Sequence, residues 1–280
     1  MAGDAKRSMA QNADASKRRK GPPPKQRINI DAGDAGVFVT CDMGKEGKCK
    51  AEVLDIFSQI IEDSGIKPQG NVDGDGGEDS DDGDIEAQIQ RELAGLQPTK
   101  DKTKKRPVEV TRLDMPCVLF ARLDKSIDPV QLVHRMCTEA QANQDTKKSR
   151  WIKRMTPVTS VRKTLSVDLE AFIKEILKPH FHSGGGPKKF AIRPTLRGNK
   201  KFNRDEIIKT IADIVGPEHS VDLSNYDLAI LFEVSQNVVG MSVVQGDYDR
   251  LKRYNLAEIY NPSPKGMETP KRTKTAAEDT

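Results

Sequence analysis

Apolar and polar positions along the chain fall into two folding units, separated and flanked by stretches with no periodicity. Gly36-Val-Phe-Val-Thr-Cys41 reads as a buried strand. Over residues 48–64, Val53, Ile56, Phe57, Ile60 and Ile61 recur at spacings of three and four, which predicts an amphipathic helix. Residues 108–113 and 117–123 read as strands on either side of Met115-Pro116. Asp128-Pro129 then starts a helix, with the carboxylate as cap and proline in the first turn, burying Leu132, Met136, Cys137 and Ala140. Residues 151–158 supply a closing strand. The order strand, helix, strand, strand, helix, strand is that of a ferredoxin-like unit, with a further short helix over residues 85–96 as a decoration.

The second unit opens at Ser166, read as the cap of a helix whose Leu169, Phe172, Ile173, Ile176 and Leu177 share a face and which Pro179 ends. Next, Phe190, Ile192, Pro194 and Leu196 alternate with Arg193, Thr195 and Arg197. That pattern predicts a strand with an apolar face and, expected toward solvent, a face carrying two guanidiniums. Gly198-Asn199-Lys200-Lys201 and Asn203-Arg204 continue it as a cationic loop. Asn203 caps the following helix, with Glu206 placed for a capping box, and Gly216-Pro217 stops it. Residues 228–234 and 238–244 are strands dense enough in Val, Ile and Leu for burial on both faces, and residues 247–259 read as a final amphipathic helix. The fold class is therefore α/β in the α+β sense. Residues 1–34 form a disordered basic tail, 35–160 the ferredoxin-like domain with an acidic disordered insert at about 68–84, 161–260 a second domain, and 261–280 a disordered tail.

Charge sharpens this division. Of 280 residues 31% are charged and the mean hydropathy is −0.64, so part of the chain cannot bury enough apolar surface to order itself. The net charge of +4 conceals segregation: acid concentrates at residues 73–84, whereas from Lys147 to Arg204 the carboxylates are Asp168, Glu170 and Glu175 against many Lys and Arg. A basic ridge of this kind suits a phosphate backbone, and the competing reading is an ordinary solvated lysine surface.

Other motifs fall short of a site. Asn71, Asp73, Asp75, Gly76 and Asp82 approach a calcium-loop spacing, but the last ligand is not a bidentate Glu and Glu78 stands where an apolar residue is usual, so an acidic insert is the better reading. Gly184-Gly185-Gly186-Pro187-Lys188-Lys189 lacks phosphate-loop spacing, and His180 with His182 lacks a third ligand, so no metal is expected. Cys41, Cys49, Cys117 and Cys137 form no CxxC pair, which points to a reducing compartment. No apolar run nears the ~20 residues of a membrane span. Lys6-Arg7 and Lys17-Arg18-Arg19-Lys20 have the form of a bipartite nuclear-import signal, with an RNA-binding tail as the alternative.

Phe190-x-Ile192-Arg193 through Arg197-x-Asn199, the helix ending at Gly216, and Val221-Asp222-Leu223-x-Asn225-Tyr226-Asp227 before a strand-turn-strand together resemble the THUMP domain of RNA-modifying enzymes. Cys41-Asp42, Gly44, Glu46-x-Lys48-Cys49, Gly246-Asp247-Tyr248 and Tyr254-Asn255-Leu256 are similar, more narrowly, to stand-alone eukaryotic THUMP proteins, the tRNA acetyltransferase adaptors. The resemblance implies that residues 161–260 are a THUMP domain gripping the acceptor end of tRNA. It further implies a non-catalytic adaptor that presents serine and leucine tRNAs to a separate RNA cytidine acetyltransferase for 4-acetylcytidine formation in the D-arm. Acetyl-CoA and ATP would be used by that partner, and this chain would carry no cofactor and no catalytic residue. The matched strand and loop carry over Arg193, Arg197, Asn199 and Lys200 as RNA contacts, although Pro194 departs from a regular ladder and leaves the strand's pairing open.

From the residues themselves, Lys201, Arg204, Lys188 and Lys189 adjoin that ridge, and Lys153, Arg154, Arg162 and Lys163 line the junction between domains. The expected protein is a monomer within a hetero-complex, off the membrane, nuclear and nucleolar with a cytoplasmic fraction. Two other function classes stay open: a ribosome-assembly factor on rRNA, and a subunit of a THUMP-type enzyme of different chemistry.

Overall fold

The structure, a computed structural model, describes residues 30–65 and 106–262. The rest of the basic tail, the acidic insert with its calcium-like spacing, the expected helix over residues 85–96 and the C-terminal tail lie outside the described residues.

The first unit is built as its pattern predicts. Strands β1 (Ala35–Thr40), β2 (Val108–Arg112), β3 (Val118–Leu123) and β4 (Met155–Val158) form an antiparallel sheet in the order β2-β3-β1-β4, with helices α1 (Glu46–Asp63) and α2 (Pro129–Ala142) between them in the chain. Period-two alternation sends Val37 and Val39 to one face and Phe38 to the other. The first face meets Cys49, Val53, Phe57 and Ile61 of α1 and Leu132, Val133, Met136 and Cys137 of α2 in one buried cluster. Asp128 caps α2 by accepting the Val130 amide at 2.8 Å, and Pro129 occupies the first turn, where its missing N–H costs nothing.

The second unit pairs β5 (Ser160–Lys163), β6 (Lys189–Arg197), β7 (Ser220–Val221), β8 (Leu228–Ser235) and β9 (Val238–Gln245) in the order β5-β9-β8-β6-β7. Strand β6 runs parallel to β8 and to β7, whereas β8-β9 and β5-β9 are antiparallel. Helices α3 (Leu169–Phe181) and α4 (Arg204–Val215) cover one face through Phe172, Ile173, Leu177, Ile207 and Ile211, packed on Phe190, Ile230, Phe232 and Met241. Two boundaries differ from expectation. Asp168, not Ser166, caps α3, by accepting the Ala171 amide at 3.1 Å. The helix also runs through Pro179 to Phe181, because Phe181 is buried edge-on against Phe190 and His219, at centroid distances of 5.7 and 5.1 Å.

The two sheets meet face to face. Phe38, Val118 and Phe120 from the first sheet share a cluster with Val161 and Val238 from the second, and Ile30, expected within the tail, is buried among them. A single residue, Thr159, separates β4 from β5, so the chain passes directly from one sheet to the other, and its amide and hydroxyl both donate to the Met241 carbonyl at 3.0 Å. The segment expected as one last helix is instead a turn, a 3-10 turn at Lys252–Tyr254 and the short helix α5 (Leu256–Tyr260). Lys252, Arg253 and Tyr254 have φ of 54–55°, a left-handed run that a continuous helix excludes. It buries Tyr254 edge-on against Tyr248 at 4.9 Å, and the segment closes back on the first unit through an Arg154–Asn255 bridge.

Candidate nucleic-acid interface

The predicted RNA contacts separate into three groups. At the C-terminal end of β6, Gly198 turns the chain at φ 60°. The Asn199 side-chain oxygen accepts the amides of Lys201 at 2.8 Å and Phe202 at 3.3 Å, while its amide nitrogen donates to the Gln236 carbonyl in the β8–β9 turn. Asn199 is thus the pin of the loop rather than a free hand. Lys201 Nζ donates to the Thr164 carbonyl at 2.6 Å and Arg204 Nη1 to the Pro194 carbonyl at 2.7 Å. Lys200 is exposed and makes no ion pair among the described residues, and Lys163 ends β5 opposite Val238, close to the same turn. Lys163, Lys200, Lys201 and Arg204 therefore converge on one end of the sheet, on a loop held rigid by backbone bonds. Lys201 and Arg204 are held by neutral carbonyls, and none of the four makes an ion pair among the described residues, so no carboxylate cancels their charge there.

Pro194 does not break the strand. It pairs with Phe232 in an unbroken parallel register from Phe190 to Arg197, and its own carbonyl points to Arg204 on the other edge, which β7 covers only at Lys189 and Phe190. Its absent N–H therefore faces an unpaired edge.

Arg193 and Arg197 form the second group, and their face is not the solvent face that alternation predicts. Arg193 Nη2 lies 2.8 Å from Asp249 and 2.9 Å from the Leu223 carbonyl, and Arg197 Nη1 lies 3.4 Å from Glu233. Both guanidiniums are mostly buried, at 20% and 25% exposure, because the first unit and the C-terminal segment, the latter with Tyr248 and Leu251, cover this side of the sheet over Ala191, Ala229 and Leu231. Glu233, 1% exposed, was not singled out from sequence; burial pushes its carboxyl up to about 7, with Arg197 pulling the other way. Its position opposite Thr195 on the inner face is the signal that would have found it.

The remaining cations stand apart. Lys188 and Lys189 sit at the far end of β6, some eight residues or about 26 Å from Arg197 along an extended strand. Lys188 Nζ donates to the His180 carbonyl at 2.6 Å, and Lys189 pairs with Asp222 at 3.4 Å. Lys153 pairs with Asp42 at 3.3 Å, Arg162 is bound by Glu175 at 2.9 Å and stacked 5.2 Å over Phe172, and Arg154 lies within the covered seam near Glu233. Burial pushes the Cys49 and Cys137 thiols up, away from nucleophilic use.

A ferredoxin-like unit packed on a second α/β sheet that carries a cationic loop at one end defines a two-unit α/β protein. Residues 166–244 match the THUMP domain family. The chain is 35% identical over 237 residues to an uncharacterized protein of Schizosaccharomyces pombe, covering 84% of this chain and 79% of that one. It is 29% identical over 249 residues to tRNA acetyltransferase TAN1 of Saccharomyces cerevisiae, covering 82% and 86%. With THUMP domain-containing protein 1 of Mus musculus it shares 30% identity over 250 residues, covering 86% and 69%. The chain belongs to the family of eukaryotic stand-alone THUMP proteins that includes THUMP domain-containing protein 1.

Proposed function

We propose that this chain is a non-catalytic tRNA-binding adaptor, presenting serine and leucine tRNAs to a separate RNA cytidine acetyltransferase that forms 4-acetylcytidine in the D-arm. The observation that carries the reading is the convergence of Lys200, Lys201 and Arg204, on a loop fixed by Asn199 within the THUMP match, with Lys163 at the adjoining end of β5. Cations backed by neutral carbonyls hold an anion, and a preorganised loop does so without first losing conformational entropy. Similarity to tRNA acetyltransferase TAN1 of Saccharomyces cerevisiae supports tRNA acetylation as the process served. The domains act together as one tRNA-holding body in the nucleus, with residues 35–160 as the ferredoxin-like half and 161–260 as the THUMP half.

The test uses purified full chain, tRNA, acetyl-CoA and ATP, with and without an RNA cytidine acetyltransferase. Acetylcytidine is expected only with the second protein, and at a rate that rises with the adaptor. Product from this chain alone would make it the enzyme instead. Crosslinking in cells that recovers rRNA rather than tRNA would favour the ribosome-assembly reading.

A further inference from the structure

Three cations converge on the indole of Trp151, where the loop entering β4 crosses the start of α1. Arg150 Cζ lies 4.8 Å, Lys48 Nζ 5.1 Å and Lys45 Nζ 5.5 Å from the ring centroid. Among the described residues none of the three makes an ion pair with a carboxylate. The carboxylate that reaches this loop, Glu52, is already used: it accepts the amides of Arg150, Trp151 and Ile152 and the Ser149 hydroxyl, at 2.7–3.2 Å. Glu52 thereby locks the loop to α1 and fixes the indole beside the lysines, whose charged ends are free to turn toward solvent.

One aromatic ring offers two faces, which is too few for three cations. Each is attracted to the ring, yet all three lie within about one Debye length, ~10 Å, of one another and repel. An anion seated among them would turn that repulsion into binding. A ring beside cations that track a phosphate backbone is also the arrangement by which single-stranded nucleic acid is held.

We propose that Lys45, Lys48, Arg150 and Trp151 form a second RNA contact, which takes a backbone phosphate between the cations and an adjoining unpaired base or ribose against the indole. The site rests on the tRNA-binding reading above and lies on the first unit, away from the β6 loop. From Trp151 the chain runs through β4 and β5 to Lys163, so the two contacts stand twelve positions apart in the chain, a stretch that spans at most about 40 Å when extended. One folded RNA reaches both, and the buried sheet junction between them fixes their separation.

Trp151 is the single tryptophan of the chain, so its emission reports this site alone. Titrating the full chain with tRNA is expected to change that emission along the same curve as filter retention of labelled tRNA. Replacing Lys45, Lys48 and Arg150 by Ala together should abolish the change and lower the log-log salt slope of binding by roughly two to three. Trp151→Phe, which keeps a ring against the core, should retain the slope and weaken binding. A Lys200→Ala, Lys201→Ala chain should still show the emission change, at higher RNA concentration. Binding of tRNA with unchanged emission and a wild-type slope in the triple variant would overturn the site while leaving the adaptor reading intact. Quenching by inorganic phosphate at matched ionic strength, with no response to tRNA, would also overturn it, and failure of the full chain to bind tRNA at all would remove both readings.

Discussion

The Arg193 guanidinium lies 2.8 Å from the Asp249 carboxylate, and the Tyr226 hydroxyl donates to the same oxygen at 2.9 Å. Arg253 Nε takes the other oxygen at 2.6 Å. One carboxylate thus ties β6, the loop before β8 and the C-terminal segment together. Burial acts to raise the Asp249 carboxyl, but the hydrogen bonds from Arg253, Tyr226 and Arg193 outweigh it and hold it below its usual 3.8. The native state therefore binds this proton more weakly than the unfolded chain. Stability from the network is complete above pH ~4 and is lost as pH falls through the native value. Asp249→Asn should melt below wild type at pH 6, with the difference closing below pH 4. A gap that persists unchanged in acid would mean that the network contributes through packing alone.

The same relationship separates two kinds of arginine and lysine in RNA titrations. Lys200→Ala should leave the melting temperature unchanged and reduce the log-log salt slope of tRNA binding by about 0.7–0.9, the loss of one phosphate contact. Arg197→Ala should instead lower stability by about 1–3 kcal/mol, because it strips the buried Glu233 of its cation. The salt slope of the folded fraction should stay near wild type. An Arg197→Ala chain of normal stability and reduced slope would return that guanidinium to the RNA.

Much of the fold was legible because periodicity reports which residues share a face. The two β-α-β halves of the first unit, the Asp128-Pro129 start and the α3 stripe from Leu169 to Leu177 follow from it directly. Alternation does not report what covers a face. Arg193 and Arg197 do project together, but Asp249, Glu233 and Tyr248 arrive from 36 or more residues away and bury them. Pro179 misled for a related reason. Local propensity ends a helix there, and the tertiary contact of Phe181 with Phe190 carries it two residues further. Residues 151–158 read as one closing strand, and β5 escapes that reading because two four-residue strands separated by one residue leave no turn signal. The loop around Asn199 was legible in position but not in role, since its polar side chain serves the backbone rather than solvent.

Gly240 should be a sensitive point of the sheet-to-sheet seam. A Cβ there would lie 2.8 Å from Val158 Cγ1 and 3.2 Å from Phe38 Cε2, both in buried side chains. Gly240→Ala is expected to cost about 1–3 kcal/mol in urea unfolding, as overpacking in a filled core does. Val158→Ala alone should also destabilise, by leaving a cavity. The double variant should be more stable than the two single losses predict, by about 0.5 kcal/mol or more. Strict additivity would show that the two residues do not press on each other.

Glu233 gives the protein a second pH dependence, of opposite sign to that of Asp249. Its Oε1 lies 3.4 Å from Arg197, and the residue is 1% exposed, so burial outweighs the attraction and raises the carboxyl from 4.5 to about 7. Between those values the native state holds a proton that the unfolded chain has released. Stability should therefore fall as pH rises from about 4.5 to 7 and level off above, by up to roughly 3 kcal/mol for a shift of this size. Glu233→Gln keeps the shape and an acceptor for Arg197 while removing the titration. Its unfolding free energy should be flat across pH 5–7 apart from groups shared with wild type, and its advantage over wild type should grow as pH rises from about 5 to 7 and level off above. Chemical denaturation of both chains at half-unit pH steps measures this directly. Parallel profiles would show that the carboxylate is ionised throughout, with Arg197 and Arg154 supplying enough charge to offset its burial.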